Sequence, residues 1–283
     1  MQVNKEVKNS VFLDLFEQEK YQLKLFQALH PEMADVGTGD LKAVTIKQII
    51  LNHQYNDLAL LVKDRVMVFV EAQSTWSKNI LLRLLMYFAD TVHEYIHDNN
   101  LSLHRSKVIP IPTPEFYVIY TGRTSVPSKI SLRQDFFGEE SCPIDLEAEV
   151  LFTETEDIVG QYITFSRVID DQTKVYGRTE EAARTAIDIC RKRGILNEYL
   201  AGREKEVVSI MTQLFDQEYA TEQFGKACEA EGREKGREET RLEVARGMYE
   251  AGVPLDMIAR GLKTTVDAVK KMLGIGQEPA ALG

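Results

Sequence analysis

NDLALLVKDRVMVFVEAQST, residues 56–75, places two apolar runs, 57–62 and 66–73, on either side of Lys63-Asp64-Arg65. Short runs rich in Val and Leu around a polar three-residue connection predict a β-hairpin, although the connection lacks a glycine. With the turn centred on Asp64, Val62 faces Val66, Leu60 faces Val68 and Asp57 faces Glu71. Side chains alternate between faces along a strand. One face therefore collects Leu58, Leu60, Val62, Val66, Val68, Val70 and Ala72, all apolar. The other holds Ala59, Leu61, Met67 and Phe69 near the turn, and Asp57, Glu71 and Gln73 at the far end. Opposed carboxylates, with Cβ atoms about 5 Å apart, repel each other. A hard divalent cation held by both would cancel that repulsion. Two alternatives stand beside this one. The hairpin end could be exposed with both acids solvated, or a two-residue turn could slip the register and unpair them.

Outward from the hairpin, residues 7–29 carry Phe12, Leu15, Phe16, Leu23 and Phe26 at helical intervals and predict one or two amphipathic helices. His30-Pro31 and residues 35–40, with Gly37 and Gly39, read as a loop, and 44–51 as a strand. Ser77 is the expected cap of a helix from Lys78 to about Ile96, apolar nearly all round and therefore buried. FYVIY, 116–120, follows Pro110, Pro112 and Pro114 and reads as a further strand. From Thr179 onward the pattern is helical. These elements divide as a core over 1–135, a mainly helical extension over 136–225, a charged linker or helix over 226–243 and a small helical tail over 244–283. The tail breaks at Gly252-Val253-Pro254 and near Gly261, and its apolar positions suit a helix-turn-helix unit or a packing appendage.

Bulk properties set the class. The 283 residues are 44% hydrophobic and 28% charged, as in an ordinary globular protein. No apolar run has membrane-spanning length and the N-terminus lacks a signal-peptide core, so the expectation is a cytoplasmic protein with no membrane partner. Cys142, Cys190 and Cys228 are odd in number and far apart, which argues for free thiols and against a cysteine zinc site. The net charge of −10 argues against simple non-specific DNA binding. Residues 1–110 are nonetheless near neutral, with 12 Lys+Arg against 13 Asp+Glu. Much of the acidity falls in Glu139–Asp157, a run without a basic residue that reads as solvated surface.

The 56–75 run, with LLRLLMYFADTVHEY after it, resembles the bacterial recombination-promoting nucleases, also called PD-(D/E)XK nuclease family transposases. NSVFLDLF (9–16), IPTPEFYVIYTGR (111–123), RKRGILNEYL (191–200) and the Gly-Arg-Glu-rich stretch extend the resemblance to about residue 240. The resemblance implies an α+β fold with an αβββαβ restriction-endonuclease-like core and a helical C-terminal region. It also implies Mg²⁺- or Mn²⁺-dependent DNA hydrolysis, in a setting of recombination, mobile elements or phage defence. Asp57 and Glu71 would be the two acids, the Ala72 carbonyl a further metal ligand, and Gln73 would stand at the Lys position. Gln cannot serve as cation or general base, so water activation would fall to the metal. The family pattern has Asp at the position of Asn9 and often Lys near Leu13; neither is present here.

Other signals compete. Arg83 and Lys78 could contact DNA phosphates, as could Lys263, Lys270 and Lys271 in the tail. This leaves a catalytically weak DNA-binding protein as an alternative. His93-Glu94-Tyr95-Ile96-His97 matches the H-E-x-x-H zinc-protease motif on an expected helix. That helix should end at 98–100, and the longer zinc-ligand continuation is absent. A homodimer would suit an enzyme that cuts both DNA strands.

Overall fold

The computed structural model describes residues 11–44, 56–63, 65–104, 106–138 and 142–275. Asn9, most of the expected strand 44–51 and Asp64 lie outside these residues. The fold is mixed, with helices and strands gathered on one six-stranded sheet. Helices α1 (Val11–Phe16) and α2 (Glu19–Leu29) precede strands β1 (Leu41–Val44), β2 (Asn56–Val62) and β3 (Val66–Gln73). Helix α3 (Ile80–Asp98) leads to β4 (Thr113–Tyr120), and β5 (Lys129–Ser131) and β6 (Glu147–Leu151) follow. The strands lie in the order β1-β2-β3-β4-β6-β5. The β3–β4 and β4–β6 pairs are parallel and the others antiparallel. A parallel pair needs a long crossover, which α3 supplies between β3 and β4.

The hairpin register is the one its sequence predicts: Val62 pairs with Val66, Leu60 with Val68 and Asp57 with Glu71. The turn has no glycine, and Lys63 takes the left-handed conformation itself at φ 47°. Both sheet faces are buried. Leu60, Val62, Val68, Val70 and Ala72 pack with α1, α2 and the helices after β6. Ala59, Leu61, Met67 and Phe69 pack under α3, through Ile80, Leu81, Leu84 and Tyr87. The acids share this second face, so α3 covers them.

Two boundaries and one surface assignment differ from the sequence expectation. Helix α3 starts at Ile80, because the Ser77 hydroxyl accepts from the Asn79 N–H (3.2 Å) in a turn ahead of the helix instead of capping it. Strand β4 begins at Thr113 and includes Pro114. Strand β6 pairs with β4 only at 117–119, so Pro114 meets no ladder bond on that side. The acidic run is not simply solvated surface. Within it, β6 buries Ala148 and Val150 while Glu147 and Glu149 face outward, and it sits beside β4 inside the sheet.

Helices α4 (Ile158–Tyr176), α5 (Glu180–Lys192) and α6 (Asn197–Leu200) close the first compact unit, which covers residues 1–216. Helix α4 begins on an Asp157 cap, whose carboxylate accepts from the Val159 (2.8 Å) and Gly160 (3.0 Å) N–H groups. Arg167, further along α4, donates to the carbonyls of Thr121, Gly122 and Phe152 at 2.8–3.1 Å. It thereby holds the C-terminal ends of β4 and β6. The same β4 end is tied to β3 by the Thr121 N–H, which donates to the Gln73 carbonyl at 3.0 Å. Gly160 lets the first turn of α4 lie against Thr155, since a Cβ there would strike the Thr155 backbone and hydroxyl. Gly160→Ala is expected to destabilise the protein by about 2–3 kcal/mol, as overpacking against backbone does. A urea midpoint equal to that of the wild type would refute the clash.

Helix α7 (Glu204–Glu250) begins in the first unit, and its larger part belongs to the second, 217–283. The charged stretch 226–243 is a continuous part of α7, with exposed side chains and four-residue ion pairs such as Arg233–Glu229. Helices α8 (Leu255–Gly261) and α9 (Val266–Leu273) join through a turn at 262–265. Ala245, Ile258, Ala259 and Val269 form a small core of their own. Among the described residues, no helix is long and apolar enough to cross a membrane.

Candidate functional site

The polar end of the hairpin carries Asp57 on β2 and Glu71 and Gln73 on β3, all on the face under α3. Glu71 is only 2% exposed, so the alternative of two solvated acids at an open strand end does not hold. Asp57 and Gln73 are half-buried. Burial costs a carboxylate its hydration and disfavours the charged form. It pushes Glu71 up to about 8, against the pull of Arg83 and with a smaller upward push from Asp57. Burial likewise raises Asp57, against its own backbone N–H, the Tyr87 hydroxyl and Arg83.

Helix α3 supplies the rest of the site. Arg83 forms an ion pair from Nη2 to Glu71 Oε1. Tyr87, one turn on, lies near enough to Asp57 to lower its pKa, without closing a hydrogen bond of good geometry. Its own phenol is raised by burial and then by Glu71 and Asp57. Four shielded polar atoms on this face find no hydrogen-bond partner among the described residues: Glu71 Oε2, Gln73 Nε2, Tyr87 OH and Thr91 Oγ1. Such groups are costly in a folded interior unless water or another polar species satisfies them. The donor set suits a hard divalent cation. Asp57 and Glu71 offer carboxylate oxygens, one of them unpartnered, and the Ala72 carbonyl lies between Glu71 and Gln73 in the chain. A cation there would also offset the burial penalty on Glu71.

Tyr87 is the site residue that the sequence reading missed. Helix α3 is not buried all round, since Leu82, Met86, His93 and His97 are exposed, and Arg83, Tyr87 and Thr91 repeat every four residues along it. That spacing aligns them on one face. A polar stripe on a buried helix is a signal that it faces something polar, and it was available in the sequence.

Other predicted residues lie elsewhere. Lys78 pairs with Asp135 at 2.5 Å, in the turn before α3. Lys263, Lys270 and Lys271 are exposed in the second compact unit, Lys263 in the α8–α9 turn and the other two on α9. His93 and His97 do sit on α3, but on its exposed side; the His97 side chain is 85% exposed and meets its neighbour Asp98 at 3.4 Å. Among the described residues, no group of three His, Cys, Asp or Glu side chains is arranged to hold a metal, so the zinc-protease motif finds no third ligand. The Asp57–Glu71 pair would have to draw on backbone and water oxygens. Comparison with protein-family models, with curated proteins and with solved structures finds no match to the chain.

The buried Glu71 makes a pH prediction. In the folded protein it holds its proton up to about pH 8, whereas its ordinary value is 4.5. Between those values the folded state binds more protons than the unfolded, so stability falls as pH rises through this window. Below it the group contributes nothing; above it the whole penalty stands. In chelator-containing buffer the wild type is expected to lose up to a few kcal/mol relative to Glu71→Gln between pH 4.5 and 8, at about 1.4 kcal/mol for each step of one in pH. Parallel stability curves for the two proteins would contradict this.

Proposed function

We propose that this protein is a Mg²⁺- or Mn²⁺-dependent deoxyribonuclease whose site is Asp57, Glu71 and Gln73, with Arg83 beside them. The observation that carries the reading is the pairing of Asp57 with a buried, partly unpartnered Glu71 on the covered end of one hairpin. The order α2-β1-β2-β3-α3-β4 supports an αβββαβ restriction-endonuclease-like core, as does the mixed sheet in which β1, β2, β3 and β4 are neighbours. The resemblance of 56–75 to recombination-promoting nucleases supports DNA as the substrate.

Asp57, Glu71 and the Ala72 carbonyl would hold the cation. When bound, it would lower the pKa of a coordinated water and stabilise charge on the phosphate. Gln73, with its unpartnered Nε2 donor, would orient the attacking water or a phosphate oxygen without removing a proton. Tyr87 would keep Asp57 in place. Helix α3 and the apolar face beneath it keep bulk water from Glu71, which strengthens each electrostatic contact there. The neutral Gln73 also fits a slow enzyme, or a DNA-binding protein with weak activity. Conversion of supercoiled plasmid with Mg²⁺ and with excess chelator tests the proposal. Cutting confined to the Mg²⁺ sample is expected, and no cutting by the pure protein with either Mg²⁺ or Mn²⁺ would defeat it.

A further inference from the structure

We infer that Arg83 holds the cation's place on Glu71 in the metal-free protein and exchanges with a divalent cation there, and that the released guanidinium then meets the substrate phosphate. The inference rests on the reading of Asp57 and Glu71 as a metal-holding pair. It begins with how Arg83 sits. The guanidinium reaches a carboxylate that is 2% exposed, while its own side chain is 25% exposed. The guanidinium is therefore the more accessible member of the pair. The contact involves Oε1, and Oε2 has no partner among the described residues. Arginine and carboxylate bind most strongly as a two-pronged fork. Here one oxygen is left over, on the face shared with Asp57.

Charge favours an exchange over a permanent pair. Without a dication the two acids and one guanidinium carry a net charge of zero while Glu71 keeps its proton and about −1 once both are ionised, and neither state attracts a phosphodiester. A bound dication changes the charge of the ionised state to about +1 with Arg83 still present, which attracts it. Metal would then bind first and substrate second, with Arg83 moving from Glu71 to the phosphate. Gln73, two residues on from Glu71 and on the same face, is neutral. Arg83 is the cation that acts on both Asp57 and Glu71. Arginine suits the second role because its planar fork matches phosphate oxygens.

Two measurements test the exchange without reading cleavage. In calorimetric titration, folded Arg83→Gln is expected to bind Mn²⁺ about tenfold more tightly than the wild type, since the competitor is gone. In Ca²⁺, the same variant is expected to bind a short DNA duplex about tenfold more weakly. Removal of Arg83 also leaves Glu71 buried and uncompensated, so the variant could fail to fold. The wild type then decides through phenylglyoxal labelling of Arg83, followed by peptide mass spectrometry. Labelling is expected to speed up at least about fivefold when Mg²⁺ saturates the site. Equal or weaker Mn²⁺ binding by the folded variant, or labelling indifferent to Mg²⁺, would overturn the exchange. Unchanged DNA affinity would overturn the phosphate role. A wild type that binds no Mn²⁺ would overturn the metal-site reading beneath both.

Discussion

Glu71→Ala and Asp57→Ala are each expected to lower Mg²⁺-dependent plasmid cleavage about a thousandfold. Each change deletes one of the two carboxylates that would hold the cation, and a bound cation contributes several kcal/mol of transition-state stabilisation. A loss of about 4 kcal/mol is a factor of about a thousand. The two variants should differ in stability even as they agree in activity. Glu71→Ala removes a buried acid but strands Arg83, whereas Asp57→Ala leaves the Arg83–Glu71 contact intact. Glu71→Gln keeps the shape and loses the charge, so it should be folded and equally inactive. Gln73→Ala should cost less, about tenfold to a hundredfold, because Gln73 would orient and not hold. If Asp57→Ala and Glu71→Ala cut as fast as the wild type, the nuclease site lies elsewhere or does not exist.

Asp14→Ala is expected to destabilise the first compact unit by about 2–3 kcal/mol, as losing hydrogen bonds to a buried charged acceptor does, while Arg203, itself 25% exposed, keeps its pair with Glu206 at 2.9 Å. Asp14 lies on α1 and is 1% exposed. Its carboxylate accepts from the Tyr199 hydroxyl at 2.6 Å and pairs with Arg203 Nη2 at 3.0 Å. Tyr199 is on α6 and Arg203 directly precedes α7, so one carboxylate joins the start of the described chain to the end of the unit. The Arg203 guanidinium also stacks over the Tyr199 ring, 4.9 Å from its centroid. Tyr199→Phe, which leaves the ion pair in place, should cost only about 1 kcal/mol, the net worth of one hydrogen bond. Thermal denaturation of the three proteins checks the order. A melting temperature for Asp14→Ala within a degree of the wild type would show that the network carries no stability.

The legible parts of the chain were those governed by local rules. The hairpin register, the helix pair at 11–29, the helical pattern from Thr179 onward and the break at 252–254 follow from alternation, helical spacing and turn chemistry. Strand β6 was obscured because its outward positions are Glu147 and Glu149, so the segment reads as acidic surface although its inner positions are apolar. Asp14 was invisible as a partner of Tyr199 and Arg203, since nothing in α1 announces a contact 185 residues away.

The candidate site divides the same way. By itself, the sequence determined that Asp57 would oppose Glu71, and that Gln73 would share their face. Side chains alternate along a strand and a three-residue turn sets the register, so these relations need only the hairpin. Only the tertiary structure decided that Glu71 is buried, that Arg83 is the cation on it and that Tyr87 stands beside Asp57. Those facts depend on which stripe of α3 lies against the sheet. The four-residue repeat of Arg83, Tyr87 and Thr91 shows that they share a stripe, but only the packing of α3 on β2 and β3 turns that stripe toward the acids.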